Sequence, residues 1–269
     1  MTGRFSSETS KANTLFIVLS GIFLTNAIVA EIIGVKIFSA EALVGADPEG
    51  LELMGGFRLN FTLTAGAVIW PIVFITTDII NEYFGKQGVK KISYITALLI
   101  AYVFIVVYMA TMLPPAQYWL DVNKTPGDAD GYNINYWYSK IFTQGLGIII
   151  GSITAFLIGQ ILDIYVFDMI RSTTGKRFLW LRATGSTLVS QLIDSFVVLF
   201  IAFYLFNRAN PWNMEMIFKI GTNNYLFKIG IAILLTPLLY IAHHFIDRYL
   251  GISRGKEKIN EPKKELTIE

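Results

Sequence analysis

A membrane-crossing helix needs roughly 20 mostly apolar residues. Six such runs stand out along the chain, near 13–38, 60–84, 91–113, 140–168, 182–206 and 224–247, separated by polar or turn-rich segments. The pattern predicts an all-α integral membrane protein, a bundle of six transmembrane helices. It divides the chain into a cytoplasmic N-terminal segment (1–12), a membrane domain (13–250) and a disordered basic cytoplasmic tail (251–269). The first run follows MTGRFSSETSKAN. It is about twice the length of a signal-peptide core and has no small-residue cleavage site, so it reads as a retained helix.

Composition supports the membrane class. Over 269 residues, 54% are hydrophobic and 16% charged, with a mean hydropathy of +0.53, too apolar for an ordinary soluble domain. A net charge of +2, spread over short loops and the tail, leaves no nucleic-acid footprint. The absence of cysteine removes disulfides, thiolate metal sites and cysteine nucleophiles together.

Basic residues favour cytoplasmic loops. One set of alternate loops carries Arg4, Lys11, Lys86, Lys90, Lys91, Arg171, Lys176, Arg177, Arg182, Arg248, Arg254, Lys256, Lys258, Lys263 and Lys264. The other carries Arg58, Lys124, Lys140, Arg208 and Lys219. The imbalance predicts that both termini are cytoplasmic and that 114–139 is external. The aromatic residues of that loop, Tyr118, Trp119, Tyr136, Trp137 and Tyr138, suit the headgroup layer. In the fourth run Gly147, Gly151, Ala155 and Gly159 recur every four residues. Such a stripe allows close backbone approach, within the chain or between the copies of a homodimer.

An ionised side chain at the bilayer centre costs about 2.5–3.5 kcal/mol on insertion scales, yet the runs contain many polar residues. Asn26, Glu31 and Lys36 fall in the first, Asp78 and Glu82 in the second, Gln160 and Asp163 in the fourth, Gln191 and Asp194 in the fifth, and Lys228 at the start of the sixth. Asp194 lies roughly 18 Å along its helix from Arg182, near the midplane. Asp78 and Glu82 share a helix face. They either share a proton in a polar site or pair with Lys86, Lys90 or an arginine of the next inner loop. Gln160-x-x-Asp163 and Gln191-x-x-Asp194 repeat one pattern in consecutive runs. Asp163 suits a helix-end ion pair with Arg171 or Arg182 as well as a site. Pro71 and Pro237 predict bends, and His243 and His244 read as interfacial.

No P-loop, Gly-rich nucleotide fingerprint, HExxH motif or Ser/His/Asp arrangement is visible, so neither an enzyme nor a cofactor is indicated. Convergent carboxylates, amides and lysines inside a bundle point to a permeation or binding pathway.

The segments TTDIINEYFGKQGVKK, FLIGQILDIYVFDMIR, LRATGSTLVSQLIDSFVVLFIAF and YLFKIGIAILLTPLLY resemble the signatures of the vitamin uptake transporter family, the bacterial queuosine precursor transporters. The resemblance runs in order over about 200 residues. It implies a six-helix inner-membrane importer of 7-deazaguanines such as preQ0 and preQ1, with no cofactor and no nucleic-acid partner. The matching motif residues are Asn26, Lys36, Asp78, Glu82, Gly85, Gln160, Asp163, Arg182, Ser186, Thr187, Gln191, Asp194 and Lys228. Of these it marks Asn26, Lys36, Asp78, Glu82, Gln160, Asp163, Gln191, Asp194 and Lys228 as candidate substrate-binding residues. Asp194 or Asp78 is expected on the base edge, with Gln191 and Asn26 supporting, Lys228 or Lys36 on O6, and Phe84, Trp70 or Phe196 stacking. The segment SAEALVGADPEGLELMGG is longer than is usual in the family. A six-span substrate-binding subunit of an ATP-driven energy-coupling importer is the alternative reading.

Overall fold

The computed structural model describes residues 2–47, 50–52, 58–124, 133–143, 146–174, 178–206 and 211–252. The basic tail from 253 onward lies outside the described residues. The long helices are α1 (Thr2–Ile33), α3 (Trp70–Thr111), α6 (Leu146–Thr174), α7 (Leu179–Leu199) and α8 (Met214–Leu250). A π-helical turn (Phe200–Leu205) continues α7. Short helices α2 (Ala40–Leu43), α4 (Gln117–Val122) and α5 (Ile134–Phe142) lie in the connections. Among the described residues, five helical stretches are long and apolar enough to cross a membrane. The chain is therefore a mostly α-helical, multi-pass membrane protein.

The second and third apolar runs join in one 42-residue element, α3, interrupted at Gly85 (φ 67°, ψ −178°). Left-handed φ is accessible to glycine without a Cβ clash. Thr77 and Ser93, on opposite sides of Gly85, both donate hydrogen bonds to Gln160 Oε1, at 3.4 and 3.5 Å. In a straight helix they would stand about 24 Å apart. Limbs 70–84 and 86–111 therefore lie side by side.

Several expected boundaries move. α1 ends at Ile33, before Lys36, because the chain turns there into strand β1 (Ile37–Ser39), which pairs antiparallel with β4 (Thr62–Thr64). A second ladder joins β2 (Leu51–Glu52) to β3 (Arg58–Leu59). The longer segment after α1 thus contains strands that helical periodicity did not anticipate. Glu41 helps fasten it, accepting from Ser39 Oγ at 2.8 Å and the Phe61 N–H at 2.5 Å. The second run becomes α-helical only at Trp70, after a 3-10 turn (Ala65–Val68). Pro71 occupies the first turn of α3, where its missing N–H costs no helical bond, so the bend expected there is absent.

The fourth run divides between α5 and α6, so Lys140 belongs to the earlier helix. α8 begins at Met214, capped by Asn213 Oδ1 accepting from the Met216 N–H at 2.8 Å. Lys228 therefore lies about four turns inside α8 rather than at its start. Pro237 remains within that helix. His243, expected at the interface, is 1% exposed, whereas His244 is exposed. The exposed Tyr118, Tyr136 and Trp137 lie on α4 and α5.

Lipid is as apolar as a leucine side chain, so close packing must hold the helices together. Phe23 and Ala27 of α1 join a core with Val73, Ile80 and Phe84 of α3 and with Phe156, Ile164 and Phe167 of α6. A Cβ at Gly151 would meet Val198 O at 3.2 Å and Ala202 N at 3.4 Å. Ala155 is fully buried, and Gly159 faces Ser190 and Asp194 across the same seam. Within the described residues the small stripe is used to pack α6 against α7 and its π-turn. The surroundings of Gly147 lie outside what the structure describes.

Candidate functional site

Limb 70–84, α6, α7 and α8 converge on a stack of polar side chains. At one end, buried Arg182 Nη2 of α7 donates to Glu82 Oε2 of the limb at 2.9 Å. Their side chains are 2% and 4% exposed, and the guanidinium lies 5.7 Å from the Phe167 ring centroid. Asp78, one helical turn from Glu82, lies within electrostatic reach of Asp163, Glu82 and Arg182. Asp163 of α6 accepts from Ser190 Oγ at 3.4 Å and lies near Ser186, whose hydroxyl donates to the Ala183 carbonyl at 3.1 Å. The next level contains Gln160 with its two hydroxyl donors, and Gln191. Beyond it, Lys228 Nζ of α8 meets Asp194 Oδ2 of α7 at 2.5 Å, with side chains 21% and 25% exposed. Glu31 of α1 is near this last level, accepting from Ser152 Oγ at 2.5 Å and lying within electrostatic reach of Asp194.

A cavity of about 600 Å³, counting the space continuous with its mouth, opens between limb 70–84, α7 and α8. A recess of about 260 Å³ adjoins it toward α6 and shares Trp70, Phe74 and Gln191. Asp78, Thr184, Thr187, Gln191, Lys228 and Thr236 supply the main cavity's polar side chains; Gln160, Ser190 and Asp194 join Gln191 in the recess. The walls are otherwise apolar and aromatic. Trp70 and Phe74 stack at 5.8 Å with their planes 20° apart. Two buried oxygens on cavity-lining residues, Asp78 Oδ1 and Gln191 Oε1, have no hydrogen-bond partner among the described residues. Each is an acceptor, and a buried acceptor without a donor is costly.

Of the nine candidate residues, Asp78, Gln160, Gln191, Asp194 and Lys228 border the cavity or its recess. The other four do not. Glu82 pairs with Arg182, one of the two arrangements open to it in the sequence, and does not line the cavity. Asp163 does not line the recess and accepts from the Ser190 hydroxyl, so the helix-end ion pair, one of the two arrangements open to it in the sequence, is not found among the described residues. Asn26 is half-buried and donates to the Ile22 carbonyl of its own helix at 2.8 Å. Lys36 is exposed beyond the end of α1; its carbonyl accepts from the Ala65 N–H at 2.7 Å. Among the expected stacking residues only Trp70 lines the cavity. Phe84 packs edge-on against Phe16, and Phe196 packs against Phe218.

Phe74, Phe227, Thr184 and Thr236 were not anticipated. A helical signal for them exists in the sequence. Trp70, Phe74 and Asp78 recur every four residues on α3, and Thr184 precedes Thr187 and Gln191 by three and seven residues on α7. On α8 Phe227, Ile231 and Leu235, like Lys228, Ala232 and Thr236, recur every four, the spacing of one helix face. Thr184 and Thr236 meet across the two helices at 3.2 Å.

Comparison with known proteins fits this membrane architecture. The family described as "Putative vitamin uptake transporter" matches residues 64–242. A Bacillus subtilis (strain 168) protein named "Probable queuosine precursor transporter" is 30% identical over 197 residues, covering 73% of this chain and 76% of its own. The Escherichia coli (strain K12) "Queuosine precursor transporter" is 30% identical over 185 residues, covering 68% and 73%. No solved structure gives a significant match. The matched region contains limb 70–84, α6, α7 and most of α8, the elements that enclose the cavity, and the chain belongs to the vitamin uptake transporter family.

Proposed function

We propose that this protein imports queuosine precursors, 7-deazaguanines such as preQ0 and preQ1, across the bacterial inner membrane. The observation that carries the reading is the pair of buried, unpartnered acceptors, Asp78 Oδ1 and Gln191 Oε1, on two side chains that line one aromatic-walled cavity. A 7-deazaguanine presents N1–H and a 2-amino group beside an O6 acceptor. Its two donors match the two waiting oxygens, and the Lys228 ammonium, with three N–H bonds and one carboxylate partner, has donors left for O6. Trp70 and Phe74 offer faces for stacking. Bases lacking this donor pattern leave buried acceptors unsatisfied and are rejected. The names borne by the relatives point to the same substrate class.

In this reading the limbs of α3 are separate crossings, giving six with α1, α6, α7 and α8, and both termini are cytoplasmic. Lys11 Nζ donates to the Tyr249 carbonyl at 3.4 Å, which brings the beginning of α1 to the end of α8, as an even number of crossings requires.

The test is restoration of tRNA queuosine in a bacterium lacking both precursor synthesis and its own importer, supplied with scarce preQ0 or preQ1. Restoration is expected; its absence while the protein is present in the membrane refutes the reading. Uptake by the purified protein in liposomes without ATP excludes dependence on an energy-coupling module.

A further inference from the structure

The base-binding reading gives Asp78 a task but leaves Glu82 and Asp163, which do not line the cavity, without one. Asp78, Glu82 and Asp163 form an electrostatically connected group with Arg182. Each is at most 5% exposed. Three ionised carboxylates around one guanidinium would leave excess negative charge inside the bundle, where charge is held only at high cost. Glu82 has the direct ion pair at 2.9 Å. Asp163 receives the Ser190 hydroxyl at 3.4 Å, and a hydroxyl can donate to a carboxylate or accept from a carboxylic acid. Asp78 lines the cavity, and its buried Oδ1 has no hydrogen-bond partner among the described residues.

Resting on the transport reading, we propose that Asp78 and Asp163 together form a proton-binding site beside the cavity, and that their proton is the coupling ion for uptake. Among the described residues, the charged and titratable groups around the pair include Glu82 on the limb of Asp78 and Arg182 on α7. Lys228 of α8 lies on the cavity wall but is joined to Asp194, with Glu31 of α1 near that pair. His243, also on α8, contacts Tyr83 Oη at 3.0 Å, and that hydroxyl donates to Asp247 Oδ1 at 2.6 Å. Gln160 and Ser190 separate the two ends of the stack.

Substrate and proton cooperate through Asp78. N–H donors from a bound base stabilise Asp78 as a carboxylate, which favours the proton on Asp163. The doubly loaded site has one fewer negative charge than the empty one. A proton taken up from outside on a carboxylate oxygen leaves as a proton into the cytoplasm, and no covalent bond to the substrate forms or breaks.

Two experiments test this separately from the transport reading. Infrared difference spectroscopy on the reconstituted protein without substrate should detect a carboxylic-acid C=O stretch that titrates with pH and disappears in Asp163→Asn or Asp78→Asn. If the wild type has no such band, or both variants retain it, the proton site is refuted whatever the protein carries. In liposomes, accumulation of labelled preQ1 should follow an acid-outside gradient and collapse with a protonophore. Asp163→Asn should still exchange external for internal preQ1 but should no longer accumulate it. Accumulation by Asp163→Asn, or wild-type accumulation indifferent to the protonophore, overturns the proposal. Absence of wild-type exchange counts against the transport reading, while the infrared result still decides the proton site.

Discussion

Among the described residues, two ion pairs tie α7 to its neighbours, and their surroundings differ. Glu82–Arg182 is almost wholly buried, with the guanidinium close to an aromatic ring and neither partner on the cavity. Lys228–Asp194 is about one quarter exposed and borders the cavity through Lys228 and the recess through Asp194. A carboxylate can be locked or available with the same partner chemistry. Burial decides which, because an enclosed pair has no solvent to replace a lost partner. The first pair is suited to fixing the helices and the second to exchanging a contact for a ligand.

The largest expected effect comes from breaking the buried pair. Arg182→Ala strands Glu82 and should cost about 3–5 kcal/mol, read as loss of folded protein from the membrane and a lowered Tm in detergent. The double variant Glu82→Leu/Arg182→Met removes both charges and should recover most of that loss. A double variant as unstable as the single would show that the pair is not the source of the effect.

Lys228→Ala should sharpen the contrast by abolishing preQ1 uptake at a smaller stability cost. That cost lies between the about 0–1 kcal/mol of an exposed pair and the about 3–5 kcal/mol of a buried one. Membrane abundance measured alongside uptake separates the effects. If Lys228→Ala lowers Tm as far as Arg182→Ala, the distinction between lock and contact fails.

Gln191→Leu changes less. It removes one unpartnered acceptor at nearly constant volume, so Tm should hold or rise slightly while preQ1 affinity falls about tenfold, the worth of a hydrogen bond of about 1–1.5 kcal/mol. Equilibrium binding to purified protein measures this, and unchanged affinity removes Gln191 from the base edge. The smallest effect is expected from Asn26→Ala, whose amide bonds only within its own helix turn; uptake and Tm should both stay near wild type.

Much of the fold and part of the site were legible in the sequence. The apolar runs marked the long helices because lipid demands about 20 apolar residues and internal backbone hydrogen bonding. The same reasoning carried the first run to residue 38 and began the second at residue 60, where the strands Ile37–Ser39 and Thr62–Thr64 formed instead. Short ladders depend on a distant partner strand, and local periodicity carries no record of it. The cost of polar groups in lipid singled out Asp78, Gln191, Asp194 and Lys228, which all reached the cavity or its recess. The same cost also singled out Asn26, satisfied by its own helix, and Glu82, satisfied by an arginine 100 residues away.

By itself, then, the sequence determined that this chain lives in a membrane, where its long helices run and which side chains are too polar to be left unpartnered there. Only the tertiary structure decided the partners: the turn at Gly85 that brings Thr77 and Ser93 to one glutamine, and the helix rotations that give Glu82 to Arg182 and Asp194 to Lys228. Helical periodicity fixes which residues share a face, but the depth and rotation at which two faces meet depend on packing along their whole length.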